Sequence, residues 1–215
     1  MTLGTMIAKM GDGFVNTCAI FFLTLIISLP LGMVIALLRM SKNKVVSGVT
    51  RSIIAVLRGT PLMLQLIAIT YGPYYLWEFG VARNKLIPVI IAFGINYAAY
   101  FAEIYRGGIE SMAAGQYEAA AVLGYSKAAA FLRIILPQVV KRILPSITNE
   151  VITLVKDTSI AFSVAYQEMF SIGKQIANSQ TSFMPFVIAG VFYYLFNSIV
   201  AFVMGRMEKK LDYYR

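Results

Sequence analysis

The sequence predicts an all-α integral membrane protein, and three features support that class. Hydrophobic residues make up 59% of the 215 residues, and charged residues make up only 13%, about half the charged share of a typical soluble protein. The mean hydropathy is +0.72. The apolar residues form long continuous blocks, unlike the short alternating pattern of a half-buried sheet. We therefore expect a single transmembrane domain over residues 1–215 with five transmembrane helices.

Each of the five apolar blocks is long enough to cross the bilayer, which takes roughly 20 helical residues. The first block has Pro30 as its one expected kink, and Arg58 and Glu78 bound the second. The third is interrupted only by Glu103, whereas the fourth is unusual because it holds three ionisable residues. The fifth has Pro185 near its start, where proline is tolerated. The predicted spans are 14–38, 59–77, 86–105, 143–166 and 183–204.

The distribution of lysine and arginine predicts how the chain lies in the membrane. Fourteen of these residues fall in the segments 39–58, 106–142 and 206–215, against four in the segments that alternate with them, at positions 9, 83, 85 and 174. Cytoplasmic loops carry the excess of positive charge. We therefore expect the N-terminus outside and the C-terminus in the cytoplasm. The net charge of +9 has the same explanation, so no nucleic-acid partner is expected.

The composition excludes several kinds of chemistry. The chain has no histidine, which excludes histidine metal sites and Ser-His-Asp triads. It has one cysteine, Cys18, so it forms no internal disulfide, and no metal site is expected. The phosphate-binding pattern G-x-x-x-x-G-K-[ST] is absent, because Gly173-Lys174 lacks both the upstream glycine and the following Ser or Thr. The chain is therefore not expected to be an enzyme or to hydrolyse ATP.

The segment 106–140, between the third and fourth spans, is predicted to form a compact helical element in the cytoplasm. A short helix is expected over 116–123, with Gly124 in the position that a helix C-cap favours. Ser126 is a suitable N-cap for a second helix over 127–136, which Pro137 would stop. A membrane protein that projects such an element into the cytoplasm offers it to a partner.

This segment resembles the EAA signature of the membrane subunits of ABC importers. The signature runs E-A-A, three residues, G, nine residues, I-x-L-P, and every position is met. In this sequence the matching residues are Glu118, Ala119, Ala120, Gly124, Ile134, Leu136 and Pro137.

The rest of the chain is similar to the polar amino-acid branch of that superfamily, the histidine, glutamine, glutamate and arginine permeases. The matching stretches begin at Phe14 (FVNT), Arg58 (RGTPL), Glu103 (EIYRGGI), Leu136 (LPQ) and Lys156 (KDTS), and they cover nearly the whole chain in order.

The resemblance implies a function for the chain and a set of partners. Its cytoplasmic segment would form a coupling helix that sits in a cleft of an ABC ATPase dimer, and ATP-driven closure would swing the pathway between its two orientations. ATP and Mg²⁺ would bind in the ATPase, with no cofactor in this chain. An extracytoplasmic solute-binding protein and a second membrane subunit, either identical or a close paralogue, complete the expected assembly. The location is the inner membrane of a prokaryote.

Polar residues at helical spacing predict where a solute could bind. Ionisable residues inside a span are costly unless they are paired or wet, so they indicate function. In the fourth span polar residues recur at spacings of +4, +3 and +4 from Ser146 to Asp157, on one helical face. The third span repeats the spacing, and the first has a weaker stripe of Thr17, Thr24 and Ser28. The candidate substrate-binding residues are Asn96, Tyr100, Glu103, Glu150, Thr153, Asp157, Thr158 and Ser159.

The candidate residues suit an amino acid, and the balance of charge favours a basic one. Three carboxylates, those of Glu103, Glu150 and Asp157, stand against Lys156. They would accept from ammonium groups, while hydroxyls and backbone N–H groups at a helix break would donate to the solute carboxylate. Arginine, lysine or histidine is therefore the expected solute. An alternative is that Lys156 pairs with one of the acids and that the segment shapes a gate.

Two other functions remain open at this stage. An ion-coupled carrier or a channel would work without an ATPase, and the coupling segment argues against it, since such a protein has no use for an ATPase docking helix. A membrane-embedded enzyme is disfavoured by the absence of histidine and of any nucleophile–base pair. Which amino acid is carried, and whether it binds stably in the membrane, does not follow from the sequence.

Overall fold

The fold is that of a computed structural model, which describes residues 1–80 and 83–211. Arg215, counted above on the cytoplasmic side, lies outside these residues. The described chain is all helical, as expected. Its helices are α1 Leu3–Arg39, α2 Lys44–Gly59, α3 Leu62–Trp77, α4 Leu86–Glu110, α5 Ala114–Val122, α6 Lys127–Ala130, α7 Leu136–Asp157, α8 Met169–Gln180 and α9 Met184–Leu211.

Three helices of the described chain, α1, α4 and α9, are long and apolar enough to cross a membrane, and α2 with α3 passes the same test as a pair bent by 105°. The first predicted span corresponds to α1, which is longer than expected. The second corresponds to α3, and the helix before it, α2, lies in a segment that was expected to connect two spans. The fourth matches α7 and a 3₁₀ turn, Thr158–Val164. The count of five spans stays a prediction.

Helix α4 is central, and α1 packs along it. Gly32 makes this close approach possible, since a β-carbon there would lie 2.8 Å from Phe101 Cβ and 3.0 Å from Ala98 O. The polar stripe of α1, at Thr17, Thr24 and Ser28, is buried. Thr17 accepts from the N–H of Met169 in α8 at 3.2 Å. None of the three lines the cavity described below, so the stripe is not part of a wet pathway in this structure.

The C-terminal end of α4 and the first half of α7 meet at a second close approach, which we call the inner seam because the prediction puts it on the cytoplasmic side. A β-carbon on Gly108 would lie 2.1 Å from Ile143 Cγ2 and 3.2 Å from Val139 Cγ1. Only glycine fits here unless the Ile143 side chain or α7 itself moves. Two adjacent glycines, Gly107 and Gly108, could in principle form a hinge or end the helix. Helix α4 continues to Glu110, so Gly108 serves close packing.

The cytoplasmic segment contains the expected short helix, α5, which ends before Gly124. Gly124 has φ +79°, and the N–H of Tyr125 donates to Ala120 O at 3.0 Å, as in a left-handed helix cap. The expected stop at Pro137 is wrong. A π-helical turn, Phe131–Ile135, leads directly into α7, where Pro137 occupies the first turn and needs no helical N–H partner.

Candidate functional site

A cavity of about 580 Å³ lies between the α2–α3 break, α4 and α7. The bend at Thr60 and Pro61 exposes one wall, and the polar faces of α4 and α7 form the other two. Its lining residues are Arg58, Gly59, Thr60, Pro61, Leu62, Asn96, Tyr97, Tyr100, Glu150, Thr153, Asp157 and Ile160.

The acidic side of the cavity belongs to α7. Spacings of +3 and +4 bring Glu150, Thr153 and Asp157 to one face of this helix. The Tyr97 hydroxyl donates to Asp157 Oδ2 at 2.7 Å. Glu150 makes no hydrogen bond or ion pair with the described residues. Its carboxylate is therefore available to a cation that enters the cavity.

The basic side of the cavity is the single arginine at the end of α2. Arg58 Cζ lies 5.0 Å from the centroid of the Tyr100 ring, a cation–π contact that holds the guanidinium against α4. Arg58 also interacts electrostatically with Glu150. The sequence predicted only that Arg58 bounds the second span, whereas the structure places it in the cavity wall.

The structure does not bring three of the candidate residues into the cavity. Glu103 lies farther inward on α4, where Arg106 Nη2 approaches its Oε2 to 2.6 Å and Arg39 Nε lies 4.0 Å from its Oε1. Thr158 is buried and donates to Val155 O at 2.8 Å. Ser159 donates to a backbone carbonyl at 2.8 Å. The arginines of the chain itself thus satisfy Glu103.

Lys156 does not face the acids of the cavity. It lines a separate cavity of about 310 Å³ with Ser159, Phe170 and residues of α9, and it forms no ion pair within residues 1–80 and 83–211. Lys156 and Asp157 are adjacent on α7 and so point about 100° apart. The alternative in which Lys156 pairs with Glu150 or Asp157 therefore does not describe this structure.

Helix α5, which was predicted to be the coupling helix, presents an uncovered surface. Val122 and Leu123 are 88% and 74% exposed, and Glu118 is exposed and makes no hydrogen bond or ion pair with the described chain. Of the other signature residues, Ala119, Gly124 and Pro137 are exposed, Ile134 and Leu136 are half-buried and Ala120 is buried.

Two side chains of α7 fasten the base of this helix. Gln138 Nε2 donates to Ile134 O at 2.8 Å and to Gln116 Oε1 at 3.4 Å. Arg142 Nη1 donates to Ser111 O at 2.7 Å, just after α4. These bonds connect α5 to the first turns of α7, and α7 to the residue that follows α4.

Sequence reasoning missed several lining residues, chiefly those of the α2–α3 break. Arg58-Gly59-Thr60-Pro61 carries a signal, since proline after a helical stretch disfavours helix in the preceding residue. That signal predicts a break but not which helices it faces. Tyr97 is one residue from Asn96, and its contact with Asp157 depends on how α4 and α7 pack.

The chain is similar to known proteins over most of its length. Residues 28–213 match the family described as "Binding-protein-dependent transport system inner membrane component". The nopaline transport system permease protein of Agrobacterium fabrum is 36% identical over 200 residues, covering 89% of this chain and 81% of that protein. A putative glutamine transport system permease protein of Rickettsia bellii is 32% identical over 202 residues, covering 93% and 91%.

A solved structure shares both fold and sequence with the chain. It is described as "Crystal structure of an amino acid ABC transporter with histidines", and it matches with a TM-score of 0.86 and 31% identity over 94% of each chain. The two permeases and this transporter are similar to the chain over nearly its full length.

Proposed function

The chain belongs to the family of binding-protein-dependent transport system inner membrane components, and from that premise we propose that it is the membrane subunit of an ABC importer for basic amino acids. Similarity to amino-acid permeases supports the solute class. The relatives are named for different solutes, so the choice among amino acids rests on the cavity.

The observation that carries the proposal is the charge of the cavity. With ordinary ionisation Glu150 and Asp157 contribute two negative charges and Arg58 one positive charge. Lys156 lies in a different cavity and does not pair with either acid. The cavity thus has an excess of one negative charge, in a medium of low dielectric where an uncompensated charge is costly. A solute with net charge +1 neutralises it.

An arginine or lysine fits this arrangement group by group. Its carboxylate pairs with the guanidinium of Arg58, which offers two parallel N–H donors. Its two cationic groups pair with Glu150 and Asp157, and Tyr97 holds Asp157 in place. A neutral amino acid leaves one of the two carboxylates unpaired.

The energy for transport would come from a separate ATPase dimer that docks on α5. The exposure of Val122 and Leu123 supports a protein contact there, because large apolar side chains on a projecting helix mark interaction sites. Glu118 is free to meet a polar or basic group of the partner. ATP and Mg²⁺ would bind in that partner.

The membrane arrangement belongs to the same proposal. We infer five spans, with α2–α3 as a broken span and α7 as a span that carries the acids of the cavity. The N-terminus of α1 would lie outside, where a solute-binding protein delivers the amino acid, and α5 would lie in the cytoplasm. A second membrane subunit, identical or paralogous, would complete the pathway.

The experiment is an uptake assay in cells that express the chain with its proposed ATPase and binding protein. We expect ATP-dependent uptake of radiolabelled arginine that excess lysine inhibits and excess glutamine does not. Equal inhibition by glutamine would contradict the basic preference. Uptake by vesicles that contain the chain alone, without ATP, would establish the carrier alternative instead.

Docking on α5 is tested separately by co-purification. Glu118→Lys or Gly124→Trp is expected to release the ATPase, because the first reverses a charge at the contact and the second forces a bulky residue into a left-handed position. Glu110→Lys, an exposed charge reversal at the end of α4, serves as the control that retains it.

A further inference from the structure

The break between α2 and α3 leaves backbone carbonyls that need partners. The last four carbonyls of a helix have none inside it, and the break lies level with Asn96, ten residues or about 15 Å into α4 from Leu86. At that depth a free carbonyl has no lipid group to bind. What satisfies these carbonyls therefore decides whether the break is stable.

One side chain supplies a donor to one of these carbonyls, that of Leu57, and to Thr60 in the break. Gln65 Nε2, from the first turn of α3, lies 2.8 Å from Leu57 O, 2.8 Å from Thr60 Oγ1 and 3.2 Å from Thr60 O. The Thr60 hydroxyl in turn donates to Val56 O at 2.8 Å. Gln65 thus bridges the end of one helix and the start of the next.

Asn96 joins the bridge to α4. Its Nδ2 donates to Gln65 Oε1 at 3.1 Å and to Leu57 O at 3.2 Å. Asn96 is 4% exposed, and this pair of bonds occupies its amide nitrogen. The predicted role of Asn96 as a direct solute ligand therefore competes with a structural role for the same group.

We propose that Gln65 is the positioning residue of the cavity. Its amide holds the α2–α3 break in the conformation that presents residues 58–62, and it anchors that break to α4 through Asn96. The inference rests on the proposed function only in taking residues 58–62 as the wall that meets the common part of an amino acid. Gln65 itself does not line the cavity.

The test uses the full chain in nanodiscs and the variant Gln65→Met, which keeps length and removes the donors. Hydrogen exchange of the backbone amides in residues 57–66 is expected to be at least about tenfold faster than in the wild type, with residues 93–101 of α4 unchanged. Gln175→Met is the matched control, because that exposed amide donates only to Gln167, at 2.9 Å.

A second arm measures binding on the same nanodiscs. If residues 58–62 meet the carboxylate common to all amino acids, Gln65→Met raises the Kd for arginine and for lysine by the same factor, about tenfold. Gln65→Glu is expected to behave like Gln65→Met, since a carboxylate keeps the size but cannot donate to Leu57 O. If Gln65→Met does not fold, Thr60→Val is the milder variant. It removes the hydroxyl that accepts from Gln65 Nε2 and donates to Val56 O.

The outcomes separate this inference from the proposed function. Unchanged exchange in residues 57–66 overturns the bridging role, whether or not any amino acid binds. Faster exchange with unchanged arginine affinity overturns the positioning role, as does a wild-type phenotype of Gln65→Glu. A wild-type chain that binds no basic amino acid defeats the proposed function, and the exchange measurement still decides whether Gln65 holds the break.

Discussion

Helices α4 and α7 are in direct contact at one point along their length and line a cavity at another. At the inner seam they touch, with Gly108 against Ile143, and the nearby carboxylate of Glu103 is paired with Arg106. At the level of the cavity both helices line its wall, and Glu150 there makes no hydrogen bond or ion pair with the described residues and interacts only electrostatically with Arg58. A carboxylate within a span therefore indicates a solute site only where the chain itself does not neutralise it.

The largest effect is expected from Glu150→Gln, which removes the unpaired charge and keeps the shape of the side chain. Arginine affinity should fall by about 100-fold, since a charged hydrogen bond to the solute is lost, while thermal stability is unchanged. Ser146→Ala is the control, because Ser146 lies on the same face of α7 but outside the cavity. Unaltered affinity for arginine in Glu150→Gln would remove the basis of the basic preference.

The seam itself is tested by Gly108→Ala. The new methyl group meets Ile143 Cγ2, and overpacking of this kind costs about 2 kcal/mol of unfolding free energy. Gly107→Ala is the matched control, since a β-carbon there has no neighbour within 4 Å. Adding Ile143→Ala removes the clashing atom and should restore part of the loss in a thermal melt. Equal melting temperatures of the two glycine variants would show that the seam yields easily.

A smaller effect is expected from Glu103→Gln at the paired level. Arg106 and Arg39 lose their charged partner, which should cost about 1 kcal/mol of stability because the pair is only partly buried. Arginine affinity should not change. Glu110→Gln removes the more exposed partner of Arg106 and should cost less. If Glu103→Gln loses arginine binding and keeps its stability, Glu103 contacts the solute after all.

The last effect is one of pH and concerns a third carboxylate, that of Glu168, between the fourth and fifth predicted spans. It is fully buried and accepts from the N–H groups of Phe170 and Ser171 and from the Tyr193 hydroxyl. Burial raises its pKa from 4.5 to about 7. The folded chain therefore binds this proton more tightly than the unfolded chain does.

A raised carboxyl pKa gives stability that is complete below pH 4.5 and is lost as the pH rises through 7. The melting temperature should fall by about 5 °C between pH 5 and pH 8. The chain has no histidine to add a transition in this range. Glu168→Gln should flatten the profile, and a profile that stays as steep would assign the transition to another group.

Much of the cavity could be predicted from helical spacing alone. Asn96, Tyr100, Glu150, Thr153 and Asp157 were expected on two polar faces, and all five line one cavity. The prediction worked because polar residues that recur at +3 and +4 in an apolar helix share a face.

Helical spacing also indicates which charged side chains can pair with each other. Arg106 follows Glu103 by three residues, which places the two side chains side by side on a helix, and Lys156 and Asp157 are neighbours that point in different directions. The break at Thr60 and the contribution of Arg58 depend on the packing of three helices. No local pattern in one sequence specifies that packing.

The inner seam also has a mechanical consequence, because it lies between α5 and the cavity. Ile143 meets Gly108 there, and Glu150 lies seven residues, or about 10 Å, farther along α7. A contact of this kind acts as a fulcrum: a tilt of about 10° that moves the inner end of α7 one way carries Glu150 about 2 Å the other way relative to α4. The distances from the seam to α5 and to Glu150 then set how far the cavity opens for a given displacement of α5.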